Sequence, residues 1–165
     1  MEVENILAKN LTMAGENAAY DAACKRLLAN KIILAWIMKS CIKEYNYLEV
    51  NEIADQYIEG NPQIGKTALH PDESEQIRGS DIRFLAIVPN TGETISLIIN
   101  VEAQNDFYPG YPIIKRGIYY CSRMTSSQYG VEFTNSHYEN IKKVYSIWVC
   151  ANPPQKRKNT INRYF

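Results

Sequence analysis

Asp81-Ile82-Arg83-Phe84-Leu85-Ala86-Ile87-Val88, Pro89-Asn90-Thr91-Gly92-Glu93 and Thr94-Ile95-Ser96-Leu97-Ile98-Ile99-Asn100-Val101-Glu102-Ala103-Gln104 form one continuous stretch, and its reading decides the fold. The apolar runs Ile82–Val88 and Thr94–Val101 predict two strands. Pro, Asn and Gly between them supply the dihedrals of a reversal. In such a hairpin the numbers of facing residues sum to roughly 182–184, which sets Asp81 opposite, or nearly opposite, Glu102. Gln104 shares a face with Glu102, because strand side chains alternate with period two. Two facing carboxylates destabilise each other unless a cation or a proton intervenes. With the neighbouring amide they make the donor set of a divalent-metal site.

The rest of the 165 residues bounds this reading. A hydrophobic content of 45% and a charged content of 22% are ordinary for a folded chain long enough to bury one core. No apolar run reaches the roughly 18–20 residues that span a bilayer. Met1-Glu2-Val3-Glu4 begins acidic rather than with the basic start of a signal peptide. No membrane association and a cytoplasmic location are therefore expected. Cys24, Cys41, Cys121 and Cys150 are scattered without a CxxC and read as reduced thiols in or near the core. His70 and His137 stand apart, with no nucleophile near either.

Zero net charge hides a dipolar chain. Residues 1–110 hold 9 Lys/Arg against 16 Asp/Glu, whereas residues 111–165 hold 9 against 2. A basic C-terminal surface that meets phosphates is one reading. Mutual neutralisation of two packed halves is the other.

Met1–Gly15 reads as a lead-in, the domain beginning near Asn17. From Asn17, a candidate N-cap, to about Tyr45 the spacing of Ala18, Ala22, Leu27, Leu28, Ile32, Ala35, Trp36 and Ile42 predicts a helix. A shorter helical pattern covers Glu49–Glu59 until Gly60-Asn61-Pro62 breaks it. Residues 60–80 read as a long polar loop. After the hairpin, Pro112 opens a second helix that Gly130 closes. Ile141–Cys150 reads as a buried strand stopped by Asn152-Pro153-Pro154, and Thr160–Phe165 as the start of another. Helix, hairpin, helix, strand is an α/β order in two or three layers.

That order, with an acid opening one strand and Glu-x-Gln closing the next, resembles the PD-(D/E)XK nuclease superfamily. More narrowly it is similar to the recombination-promoting nuclease and PD-(D/E)XK transposase branch found in bacteria. The likeness is carried by Tyr20–Leu28, Tyr57-Ile58-Glu59-Gly60, Asp81-Ile82-Arg83-Phe84, Ile99–Gln104, Pro112–Tyr120 and Ile147–Pro154, across residues 17–165. It implies a restriction-endonuclease-like core, a central mixed β-sheet flanked by helices, and a longer protein with sequence beyond Phe165. It also implies a Mg²⁺-dependent endonuclease that hydrolyses DNA phosphodiesters, with Mn²⁺ as an alternative ion. Asp81 and Glu102 would ligate the metal. Gln104 takes the place that Lys usually holds in the superfamily, and it would orient water or phosphate. Lys115 and Arg116 on the following helix would contact the phosphate and supply the missing cation. A further acid from the first helical region has two candidates, Asp21 and Glu59, between which sequence does not choose.

Several features keep two readings at this stage. Lys115, Arg116 and Arg123 make either a phosphate-facing stripe or a solvated face. Tyr108, Tyr111, Tyr119, Tyr120 and Tyr129 either stack on unpaired bases or pack the core. Lys156-Arg157-Lys158 either touches DNA backbone or is plain surface. Against the nuclease stands a nuclease-fold protein without catalysis that binds DNA or a protein partner. If a nuclease cuts both strands with one site per chain, a homodimer is favoured.

Overall fold

The computed structural model describes residues 19–20, 22–64, 82–89 and 96–164, with backbone alone over 96–106. Helix α1 (22–28) and helix α2 (Lys31–Cys41) replace the single long helix expected from the apolar spacing. The break falls at Asn30, whose extended backbone and side-chain oxygen make an N-cap: Oδ1 accepts from the Ile32 N–H at 2.9 Å. A capping side chain offers the backbone a start signal that competes with continuation. Asn17 lies outside the described residues.

The second helical pattern is shorter than expected as well. Helix α3 (Val50–Glu52) passes into a π-helical turn over Ile53–Tyr57, and strand β1 (Ile58–Ile64) begins where the pattern still reads as helix. Gly60-Asn61-Pro62 therefore lies inside a strand instead of ending a helix. It is accommodated because β1 is an edge strand, and its register with the next strand shifts between Glu59 and Gln63. Edges and bulges tolerate a proline that lacks an N–H, and Gly60 takes a φ of +58° there. The rest of the expected 60–80 loop lies outside the described residues.

Strands β2 (Ile82–Ile87) and β3 (Ser96–Asp106) form the predicted hairpin. Facing residues sum to 183, as in Ile82–Val101 and Ile87–Ser96, at the centre of the expected register. Helix α4 (Ile113–Ser126) follows, with Pro112 as its N-cap residue, and then strand β4 (Val144–Asn152). The sheet order is β1-β2-β3-β4; the first three strands are antiparallel neighbours and β4 runs parallel to β3. This is a mixed sheet with helices on both faces, an α/β architecture. No strand forms over 160–164. Instead Arg163 donates to the carbonyls of Ser40 and Cys41 at 2.8 and 3.3 Å, satisfying acceptors that the end of α2 leaves unpaired.

Packing divides the sheet into two faces. Ile82, Phe84 and Ala86 alternate inward along β2 and meet Leu34, Ala35 and Met38 of α2, with Tyr45, Ile53 and Ile58 in the same core. Tyr145, Ile147 and Val149 of β4 pack against this cluster. The intervening Trp148 lies on the other face, stacked on Tyr120 of α4 with ring centroids 5.8 Å apart. Gly117 lies at this contact: a Cβ there would meet Trp148 Nε1 at 3.4 Å, an ordinary van der Waals distance. Gln128, 1% exposed, ties the end of α4 to the start of β4 by accepting from the Lys142 N–H and donating to the Lys142 carbonyl. The layers are thus helix, sheet, helix.

Two tyrosines close the first face. Tyr45 is fully buried and donates its hydroxyl to the Ile87 carbonyl at 2.7 Å. Tyr145 donates to Glu44, which also accepts from Lys143 Nζ at 2.7 Å. Burial pushes the Glu44 carboxyl up, but the Lys143 and Tyr145 contacts outweigh it and leave the pKa below its ordinary 4.5. A carboxyl depressed on folding adds stability that is present above the unfolded value and is lost as pH falls through the folded one. Glu44→Gln is therefore expected to melt below the wild type at pH 7. The gap should close at acid pH, as the pH falls through the lowered folded value and the wild-type carboxyl protonates. Parallel melting curves at the two pH values test this, and a gap independent of pH would refute it.

Candidate functional site

Among the described residues Glu102 and Gln104 are held by backbone pairing to β4. The last described rung of the β2–β3 ladder is Ile82–Val101, so Glu102 follows immediately after it. On the other side Glu102 pairs with Trp148 and Gln104 with Cys150. One expectation changes here. Glu102 does not close its strand, because β3 runs on to Asp106. Parallel pairing with β4 accompanies β3 as far as Asp106–Asn152, beyond the last described rung with β2. Asp81 lies outside the described residues.

The opposite wall is α4. Arg116 turns toward the sheet, and its guanidinium carbon lies 5.5, 5.2 and 5.3 Å from the ring centroids of Tyr111, Tyr120 and Trp148. Nε and Nη2 donate to the Tyr120 hydroxyl at 3.0 and 2.7 Å, and Nη1 donates to the Tyr111 hydroxyl. Burial works against the charge, yet the tyrosine contacts prevail and push the Arg116 pKa up. This cation is fixed in place by rings and hydroxyls. Lys115 beside it is exposed. Arg123 lies over Tyr119 at 5.4 Å and donates to its hydroxyl at 3.3 Å. The three cations therefore do not form one plain stripe, since two are interleaved with aromatic rings. The i, i+4 spacings Arg116–Tyr120 and Tyr119–Arg123 signal this in the sequence. The part of Trp148 has no such local signal, because it arrives from another element.

Trp148 joins the two walls. Its backbone is the register partner of Glu102, its indole lies beneath Arg116, and its Nε1 donates to Ser146 Oγ at 3.0 Å. Glu102 and the Arg116 guanidinium are thus adjacent to a common residue.

The other candidates separate. Glu59 pairs with Leu85, which pairs with Ile98. From there Glu102 is four residues along the strand, about 13 Å, and Glu59 lies two strand spacings across, about 10 Å. The resulting backbone separation of roughly 16 Å is too large for the two acids to share one ion at oxygen–metal distances of about 2.0–2.6 Å. Asp21 and His70 lie outside the described residues. His137 is exposed and sits 2.9 Å from Glu139. Lys156, Arg157 and Lys158 are exposed around a short 3-10 turn. Cys24, Cys41, Cys121 and Cys150 are free thiols; burial pushes Cys41, Cys121 and Cys150 up, away from reactive thiolate.

Among the described residues no group of three or more His, Cys, Asp or Glu could hold a metal ion. Asp81 and the Glu102 side chain are not among them. Among the same residues no helix is long and apolar enough to cross a membrane. No protein-family model, curated protein or solved structure matches this chain.

Proposed function

We propose that this protein is a Mg²⁺-dependent DNA endonuclease with a restriction-endonuclease-like core, in which Asp81, Glu102 and Gln104 form the catalytic group. The single observation that carries the reading is the position of Trp148, backbone partner of Glu102 and support of the Arg116 guanidinium. Glu102 on a central strand and the fixed Arg116 cation on the covering helix share Trp148 as a neighbour, which supports a site of the kind that phosphodiester hydrolysis needs. The element order and the mixed sheet with helices on both faces agree with the core that the sequence resemblance implies.

The donor set suits the ion. Carboxylate and carboxamide oxygens are hard ligands of the kind Mg²⁺ takes, and Mn²⁺ accepts the same set. Bound there, the ion would supply Lewis-acid polarisation of the phosphodiester and a water acidified for attack. Asp81 and Glu102 would hold it with their carboxylates. Gln104 is neutral, so it can orient a water through its carbonyl oxygen or donate an N–H to a phosphate oxygen, but it cannot offset charge as Lys would. The cationic part falls to Arg116, fixed in place, with exposed Lys115 meeting the phosphate from outside. Cleavage of both strands would call for two copies of the chain. Recombination, mobile-element movement and defence against phage all suit such an activity.

The purified protein is expected to nick supercoiled plasmid in Mg²⁺ but not in EDTA, and calorimetry should register uptake of Mg²⁺. Intact plasmid together with no heat of metal binding would overturn the reading. The neutral Gln104 favours one second reading, a nuclease-fold protein that holds DNA without cutting it. Retention of DNA with neither metal uptake nor nicking would establish that alternative.

A further inference from the structure

Residues 107–131 carry Lys115, Arg116 and Arg123 and contain no Asp or Glu. The segment is also rich in aromatic rings, and the structure shows how they are arranged. Tyr119 lies beside Tyr120 at 6.1 Å, Tyr120 stacks on Trp148, and Arg116 links Tyr111 to both Tyr120 and Trp148. Phe107 and Tyr108 form an edge-on pair at 4.9 Å just before α4. The inner rings of this run are half-buried, but its ends open to solvent: Tyr108 is 72% and Tyr119 49% exposed, and Tyr111 is exposed too.

Large exposed rings on a helix invite a partner, and here the charge decides which kind. Each end of the run carries a cation over a ring, Arg116 at Tyr111 and Arg123 at Tyr119, with exposed Lys115 on the same helix. A polymer of phosphates with π-faced bases satisfies both features, cations for its backbone and rings for its bases. Paired bases are already stacked on their neighbours and hide their faces, so the matching polymer is single-stranded. We infer that the α4 face is a binding platform for an unpaired nucleic-acid strand, so that this protein engages its DNA as a single or locally opened strand. The inference rests on the nuclease reading for the identity of the polymer and for the place of the cut, level with Glu102.

Binding of fluorescent oligo(dT) and of a blunt duplex of equal length, measured by anisotropy in EDTA, separates this inference from catalysis. Oligo(dT) should bind more tightly than the duplex. Tyr119→Ala should weaken it roughly five- to hundredfold, the range expected for losing one stacking ring. Tyr119→Phe, which keeps the ring and loses the hydroxyl that Arg123 donates to, should bind like the wild type. Trp36→Ala, at an exposed ring on α2 across the sheet, should also leave binding unchanged. Duplex bound as tightly as oligo(dT), or oligo(dT) binding indifferent to Tyr119→Ala, overturns the inference even if Mg²⁺-dependent nicking is present. Absence of nicking with the strand preference intact overturns the nuclease reading and leaves the platform standing. A dimer seen in sedimentation that Tyr119→Ala dissociates, with oligo(dT) binding unaltered, would assign the face to a second copy instead and overturn the inference.

Discussion

Glu102→Ala is expected to lower Mg²⁺-dependent nicking by at least about a hundredfold while leaving the fold intact. Even groups that only position metal ligands cost roughly 10–100-fold when removed, and a direct ligand should cost no less. The fold should survive because β3 is held by backbone bonds, to β2 up to Val101 and to β4 from Ile98 to Asp106. Alanine retains both the N–H and the carbonyl of that position. In the proposed site Glu102 stands against Asp81, so its removal would relieve repulsion once the metal is gone, and the melting temperature in EDTA should not fall. Circular dichroism and melting in EDTA, set beside the cleavage rate in Mg²⁺, test the two halves together. Cleavage at the wild-type rate by the pure variant would remove Glu102 from the site.

The second large effect concerns stability. Leu34→Ala on α2 should destabilise the protein by about 2–5 kcal/mol. Leu34 is fully buried, in the same core as Ile82, Phe84 and Ala86 of the sheet. The cost combines lost transfer of the side chain with a cavity that a close-packed interior fills only in part. Against a typical total of about 5–15 kcal/mol, one such change is a large fraction. Two residues along the same helix, Trp36 is 56% exposed. Its replacement by alanine should cost roughly 0.5 kcal/mol or less despite the larger side chain. Urea unfolding should show a lower midpoint for Leu34→Ala at an unchanged slope. Equal losses for the two variants would show that burial along α2 is assigned wrongly.

The hairpin was legible in the sequence because strand pairing obeys arithmetic. Two apolar runs and a turn of known length leave only a few registers, sums of roughly 182–184, and the observed one falls within them. The start of α4 was legible for a similar reason, since Pro112 marks it through a dihedral that belongs to a single residue; its end was not, because the helix stops at Ser126 with Ser127 as its cap, short of the expected Gly130. The misread elements are those where two local signals compete. At Asn30 the apolar periodicity continues, but the side chain caps. At Ile58 the helical spacing persists, but pairing with Ala86 supplies backbone partners that a helix end would leave unsatisfied. Thr160–Arg163 has strand-like composition but pairs with neither edge of the sheet, and Arg163 instead reaches the end of α2.

The candidate site divides along the same line. By itself the sequence determined that Glu102 and Gln104 belong to a strand whose hairpin partner follows Asp81, because register depends only on local pattern and turn length. Only the tertiary structure decided what lies against that strand. Parallel pairing with β4 brought Trp148 level with Glu102, and the approach of α4 at Gly117 laid Arg116 over the same indole. Those contacts join residues more than thirty positions apart. No periodicity within one element records such a distance, since it is set by how whole faces pack.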